Sequence, residues 1–122
     1  MLIPDGFGPA SATFARDYLR ATSGRFELAF DSLHVGSTRT ASTDSRITDS
    51  AAAGTALATG HKTYNGAIAV DSTGQPVATL LEAAEARGMA TGLVVTSRVT
   101  HATPAVFSAH VRDRADEDRI AA

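Results

Sequence analysis

Apolar positions recur at helical spacing in two stretches of the chain and run on without interruption in a third. In FGPASATFARDYLRA, Phe14, Ala15, Tyr18 and Leu19 fall on one face behind an early proline, which predicts a helix from Pro9 to Ala21. In VATLLEAAEARG, Val77, Leu80, Leu81 and Ala84 share a face and Gly88 supplies the stop. ATGLVVTS follows directly as a continuous apolar run, the pattern of a strand covered on both faces.

Weaker patterns fill the intervals. RFELAFDSLHVG alternates and predicts a strand or extended segment ending at Gly36, MLIP is an apolar strand start, and NGAIAVD reads as a short strand after an Asn-Gly turn. The Ser- and Thr-rich stretch from Ser37 to Thr48 predicts a loop. From Ser50 to about Thr59 a run of small residues predicts a helix ended by Gly60, and Thr103 with Pro104 predicts the opening of another. Helix, glycine stop, buried strand and helix again is the rhythm of an α/β sheet with helices on both faces. Ligands of such sheets gather beyond the carboxyl ends of the strands, where Asp5, Asp49 with Ser50, and His101 to Thr103 would stand.

Composition narrows the classes. The 122 residues carry a net charge of −2, and their 11 Lys and Arg are spread along the chain, which argues against the clustered cations of a nucleic-acid footprint. Without a single Cys, disulfides, thiolate metal ligands and a Cys nucleophile are excluded from this segment. No run approaches the ~18 apolar residues of a membrane span, and no charged and then apolar leader pattern follows Met1. The address in the cell stays open. MLIP is shorter than the usual strand of about 5–6 residues, and ADEDRIAA runs in a helical pattern with no Gly or Pro to end it. Residues 1–122 are therefore expected to be a fragment of a larger protein.

Three stretches carry candidate chemistry, each with a plainer reading beside it. In PDGFG a carboxylate at a strand end, followed by glycines that allow a tight turn, suits a cation; Asp5 could equally bond its own backbone. In TDSAAAG a Ser in the first turn of a helix lies beside free N–H groups and the positive end of the helix dipole, a setting for an oxygen that attacks a phosphate. Small residues after it would let substrate and metal ions approach, and the plain alternative is that Asp49 or Ser50 only caps an Ala-rich helix. VTHATPAVFSAHVRDR combines His101, Thr103, Arg112 and Arg114, with capping for Thr103 and a solvated helix face, including an Arg114–Asp118 pair, as the plain readings. Gly54 and Gly60 enclose one residue too many for a phosphate-binding P-loop, and Ser50 lacks the flanking glycines of a hydrolase nucleophile elbow.

Taken in order, PDGFG, TRTASTDSRITDSAAAGTALATGHKTYNGAIAVD and THATPAVFSAHVRDR resemble the N-terminal part of alkaline phosphatases. The D-S-A-A followed by A-T-G-x-K-T-Y-N-G is the most specific part of the match. The resemblance implies an alkaline phosphatase-like α/β fold and hydrolysis of phosphate monoesters through a phosphoserine, at a site of two zinc ions and one magnesium ion. It implies Ser50 as nucleophile and zinc ligand, Asp49 as the residue that orients the phosphate-clamping arginine, and Arg114 as that arginine, at the family's spacing from His101. Asp5 would bridge zinc and magnesium, Thr103 would offer its hydroxyl to magnesium, and His101 would stand near magnesium where some members have Asp. His34, His61 and His110 match none of the family's ligand positions. The family's remaining zinc ligands lie beyond Ala122, so the 122 residues alone are expected to be inactive and to bind zinc weakly. The resemblance further implies a homodimer; members of the family are commonly exported, periplasmic or lumenal, and the address of this chain stays open. A related phosphodiesterase or sulfatase and a non-catalytic module remain as alternatives.

Overall fold

Regular structure in this chain is entirely helical: five α-helices and one 3-10 turn, with no β-strand. The computed structural model describes residues 1–122, which divide into two units, Met1–Arg39 and Thr40–Ala122.

The first unit is built on α1 (Pro9–Ser23). Pro9 occupies the first turn, where its missing N–H costs nothing, and Gly24 closes the helix in the left-handed region at φ 69°. No residue of α1 is buried, and Phe14 and Tyr18 on the expected apolar face are exposed. The extended segment expected from Arg25 to Gly36 does not form; the chain turns instead into a 3-10 helix, Asp31–Leu33. The cause is Asp31, whose Oδ2 accepts the Leu28 N–H (2.8 Å) and whose carboxylate takes the fork of Arg16 (3.0 and 2.5 Å). The hydrogen bonds from Arg16 and Leu28 hold the Asp31 carboxyl at about 2. Phe7 meets Phe30 edge to face at 5.8 Å.

The second unit holds the core, made of Ala51, Ala52, Ala58, the run Ala67 to Val70, Ala102, Ala105, Val106, Phe107 and Val111. Its axis is α2 (Ser50–Thr59), which starts and stops where its signals say: Asp49 caps it through Ala52 N–H, and Gly60 ends it at φ 77°. The small residues of α2 serve packing. Ala51, Ala52, Gly54, Thr55 and Ala58 are buried, and a Cβ on Gly54 would stand 2.9 Å from Val106 Cγ2, so a glycine here lets the two segments close. Thr55 is fully buried, with Oγ1 donating to Ala67 O and accepting from Ala69 N–H, both at 3.0 Å.

NGAIAVD is extended but is no strand. Ile68 bridges Val111 and Val70 bridges Pro76, both antiparallel, and Ala69 between them turns to a positive φ of 44°, which stops a ladder from running on. The helix expected from Val77 starts later, as α3 (Leu80–Glu85). Thr79 and Glu82 form a reciprocal capping box there, and Val77 N–H is taken by Ala69 O at 2.9 Å. ATGLVVTS is not the buried strand its pattern predicts: no bridge reaches it, and Val94 is 100% exposed. A strand needs a neighbour to satisfy its N–H and C=O groups, and no segment of these residues pairs with it. Two short helices complete the unit, α4 (Ala102–Ala105) and α5 (Glu117–Ala121). No helix is long and apolar enough to cross a membrane.

Candidate active site

The site is organised around the N-terminus of α2. Asp49 is the cap and Ser50 the first helical residue, so Ser50 stands at the positive end of the helix dipole, which favours an anion. Each oxygen of Asp49 is committed. Oδ1 accepts Ala52 N–H at 2.9 Å, and Oδ2 accepts Gly66 N–H at 3.0 Å and the Arg114 guanidinium at 3.2 Å. The backbone N–H of Asp49 in turn donates to Asn65 Oδ1 at 3.0 Å.

Arg114 reaches Asp49 from a turn that the Ile68–Val111 bridge holds against the core. Its own N–H donates to Gly66 O at 2.8 Å. The guanidinium also lies 3.2 Å from His101 Nε2. Arginine has no lone pair to offer, so in this contact the ring nitrogen is the acceptor. Two contacts leave other guanidinium N–H groups for a ligand. Arg114 does not pair with Asp118 as the helix-face reading expects. Arg112 turns elsewhere, with Nε donating to Gly74 O at 3.3 Å.

Asp49, Ser50, His101 and Arg114 are all partly buried, a setting in which a charge-assisted contact keeps more of its strength than on open surface. His101 is the cap residue of α4, without a side-chain capping bond, and Thr103 lies inside the first turn. The expectation that Thr103 opens that helix is corrected: the cap is His101, two residues earlier. Asp5 belongs to the first unit, exposed at the turn before α1.

Two residues of this frame escape a reading of the sequence. Asn65 and Gly66 read as a turn that ends the family-like stretch, with no role of their own, yet their partners, Ile47, Asp49 and Arg114, come from both halves of the site. A second polar link, His110, joins Ala69 O (Nδ1, 2.8 Å) to Glu82 Oε1 (Nε2, 2.9 Å). Burial lowers the pKa of His110, but the Ala69 carbonyl and Glu82 together raise it above its ordinary value.

No three His, Cys, Asp or Glu side chains come together as a metal-holding group. Of the implied donors, Asp5, Ser50 and Thr103 offer oxygen, and His101, the one nitrogen donor, spends Nε2 on Arg114. These residues do not fit a zinc centre by themselves, since zinc takes three or four ligands.

Compared with known proteins, residues 1–122 match the family model described as Alkaline phosphatase over their whole length. The chain belongs to the alkaline phosphatase family. It is 47% identical to an alkaline phosphatase of Schizosaccharomyces pombe, over 99% of this chain and 23% of that protein. It is also 47% identical to the streptomycin-6-phosphate phosphatase of Streptomyces griseus, over 93% of this chain and 25% of that protein. Among solved structures, a cold-active alkaline phosphatase from Shewanella superposes with a TM-score of 0.89 at 45% identity, covering 98% of this chain and 31% of that one. A His-to-Asp variant of the TAB5 enzyme from an Antarctic bacterium, with magnesium bound, gives a TM-score of 0.82 at 36% identity, over 96% of this chain and 33% of that one. The family fold is therefore present, although the expected sheet is not formed by these residues. The chain spans about a quarter of the length of the relatives it matches.

Proposed function

We propose that this chain carries the nucleophile and the phosphate-binding arginine of a phosphate-monoester hydrolase that works through a phosphoserine. The observation that carries the reading is the Asp49–Arg114 ion pair at 3.2 Å beside Ser50, on the N-terminus of a ten-residue helix. Asp49 fixes one edge of the guanidinium, and the planar fork then presents its remaining N–H groups to two phosphate oxygens. The α2 N–H groups add fixed positive potential where the transferring phosphoryl group gathers negative charge.

In the first step the Ser50 Oγ–P bond forms as the ester P–O bond breaks; the serine proton leaves to solvent and the departing alkoxide takes one up. In the second step water attacks the phosphoserine, releasing inorganic phosphate and restoring the hydroxyl. Phosphoryl transfer asks mostly for positioning and charge stabilisation, which is what Asp49 and Arg114 supply. The two zinc ions and one magnesium ion implied by the family belong to the proposal, with Asp5, Ser50, Thr103 and His101 as partial donors and the other ligands outside these 122 residues. When bound, such ions lower the proton affinity of a coordinated oxygen and neutralise developing charge.

The test is Ser50→Ala in the full reading frame, assayed with p-nitrophenyl phosphate and by trapping of phosphoserine. Loss of both supports the assignment; parent-like turnover removes it. Turnover of sulfate esters above that of phosphate monoesters would instead favour a sulfatase.

A further inference from the structure

We propose that Asn65 is a positioning residue for the Ser50–Arg114 pair and acts through Asp49, an inference that rests on the reading of Ser50 as nucleophile. Its amide is engaged on both sides. Oδ1 accepts the Asp49 N–H and Nδ2 donates to Ile47 O, each at 3.0 Å. The amide orientation is dictated by these partners, because a flipped group would set N–H against N–H and oxygen against oxygen. The two contacts straddle Thr48 and so hold the three residues that lead into α2 and set where Ser50 begins the helix.

The backbone of Asn65 is anchored in turn. Its N–H donates to Asp44 Oδ1 at 3.0 Å, and the same oxygen takes the Ser42 hydroxyl at 2.6 Å. The next residue completes the link to the other half of the site. Gly66, at φ 91°, points its N–H at Asp49 Oδ2 (3.0 Å) and its carbonyl at Arg114 N–H (2.8 Å). The Asn65–Gly66 turn thus touches the cap beside the nucleophile and the backbone of the phosphate-binding arginine at once. Asn65 fixes the first side-chain end of that frame, and a Cβ at residue 66 would face strain at its positive φ.

In-line attack is sensitive to displacements below 1 Å, so losing this brace should be read in turnover rather than in folding alone. The experiment compares Asn65→Ala and Asn65→Asp with the parent in the full-length protein, measuring kcat, the rate of phosphoserine formation and the melting temperature. Asn65→Ala is expected to lower kcat and phosphoserine formation by about tenfold or more, measured well below its melting temperature. Asn65→Asp keeps the size and the acceptor for Asp49 N–H but turns a carboxylate oxygen onto Ile47 O, and should lose at least as much kcat as Asn65→Ala. If Asn65→Ala melts lower yet keeps kcat within about twofold of the parent, the residue is structural only and the proposal is overturned. Should Asn65→Ala fail to fold, Asn65→Asp decides alone: a loss of about threefold or more supports the brace, and parent-like kcat overturns it. Ser50→Ala, run in parallel, separates the two claims, because parent-like activity there removes the nucleophile reading and not merely the role of Asn65.

Discussion

Gly54→Ala tests why α2, the helix that Ser50 opens, is made of small residues. A Cβ at this position would lie 2.9 Å from Val106 Cγ2 and 3.4 Å from Cγ1, against an optimal carbon separation of ~3.5–4.0 Å. Roughly 0.6–1.1 Å must therefore open between the segments. Val106 cannot swing away, because it is β-branched and fully buried. Overpacking of this kind costs about 1–3 kcal/mol, and replacing a helical Gly with Ala returns about 1 kcal/mol, so the net expectation is a loss of up to ~2 kcal/mol. The decisive assay is a double-mutant cycle with Val106→Ala, read by urea unfolding under circular dichroism. In the Val106→Ala background the clash is gone, and Gly54→Ala should become neutral or mildly stabilising, a coupling of about 1–3 kcal/mol. Additive effects, or a stabilising Gly54→Ala in the parent, would refute the close-packing argument.

Other expectations follow from the same geometry. Arg114→Ala should weaken inorganic phosphate binding by the full-length protein by about ten- to a hundredfold, the worth of a charge-assisted contact, whereas Arg112→Ala, tied to Gly74 O, should change it little; equal effects would refute the register. His110 has a raised pKa, so its stabilisation is complete below its unfolded value of about 6.5 and is lost as pH rises through the folded value. Glu82 has a lowered pKa, first through His110 and then Thr79, so its share is present above 4.5 and is lost as pH falls through its folded value. Because the Glu82 side chain is 46% exposed, the pair is expected to contribute only about 1 kcal/mol; His110→Gln should flatten the decline of stability above neutral pH, as followed by thermal melts across pH. The 122-residue chain alone is expected to bind zinc weakly in a calorimetric titration, and a saturable tight site would contradict the partial donor set.

Local signals were the legible ones. Asp49 and Gly60 bound α2 because a cap and a left-handed glycine act within one turn of themselves. The capping box Thr79-x-x-Glu82 is equally local, but the apolar periodicity from Val77 masks it and predicts too long a helix. The strand expected in ATGLVVTS depended on something no single stretch contains, a neighbour to pair with. Asp31 overrode the alternation around it by gathering Arg16 and Leu28, a contact spanning fifteen residues. At the site, Ser50 and Asp49 announce themselves through a helix start, whereas Asn65 resembles any Asn-Gly turn, and its partners stand 16 and 18 residues away. Family spacing alone separates Arg114 from Arg112 in the sequence, and it is Arg114 that reaches Asp49.

The central claim is that Ser50 becomes phosphorylated during turnover. Acid-quenching the full-length protein with a labelled phosphate monoester and locating the label by peptide mass spectrometry tests it most directly. The account predicts phosphate on Ser50 in the parent, none in Ser50→Ala, and a turnover in that variant lower by about a thousandfold or more. Phosphate on another residue, or undiminished turnover without Ser50, would contradict it.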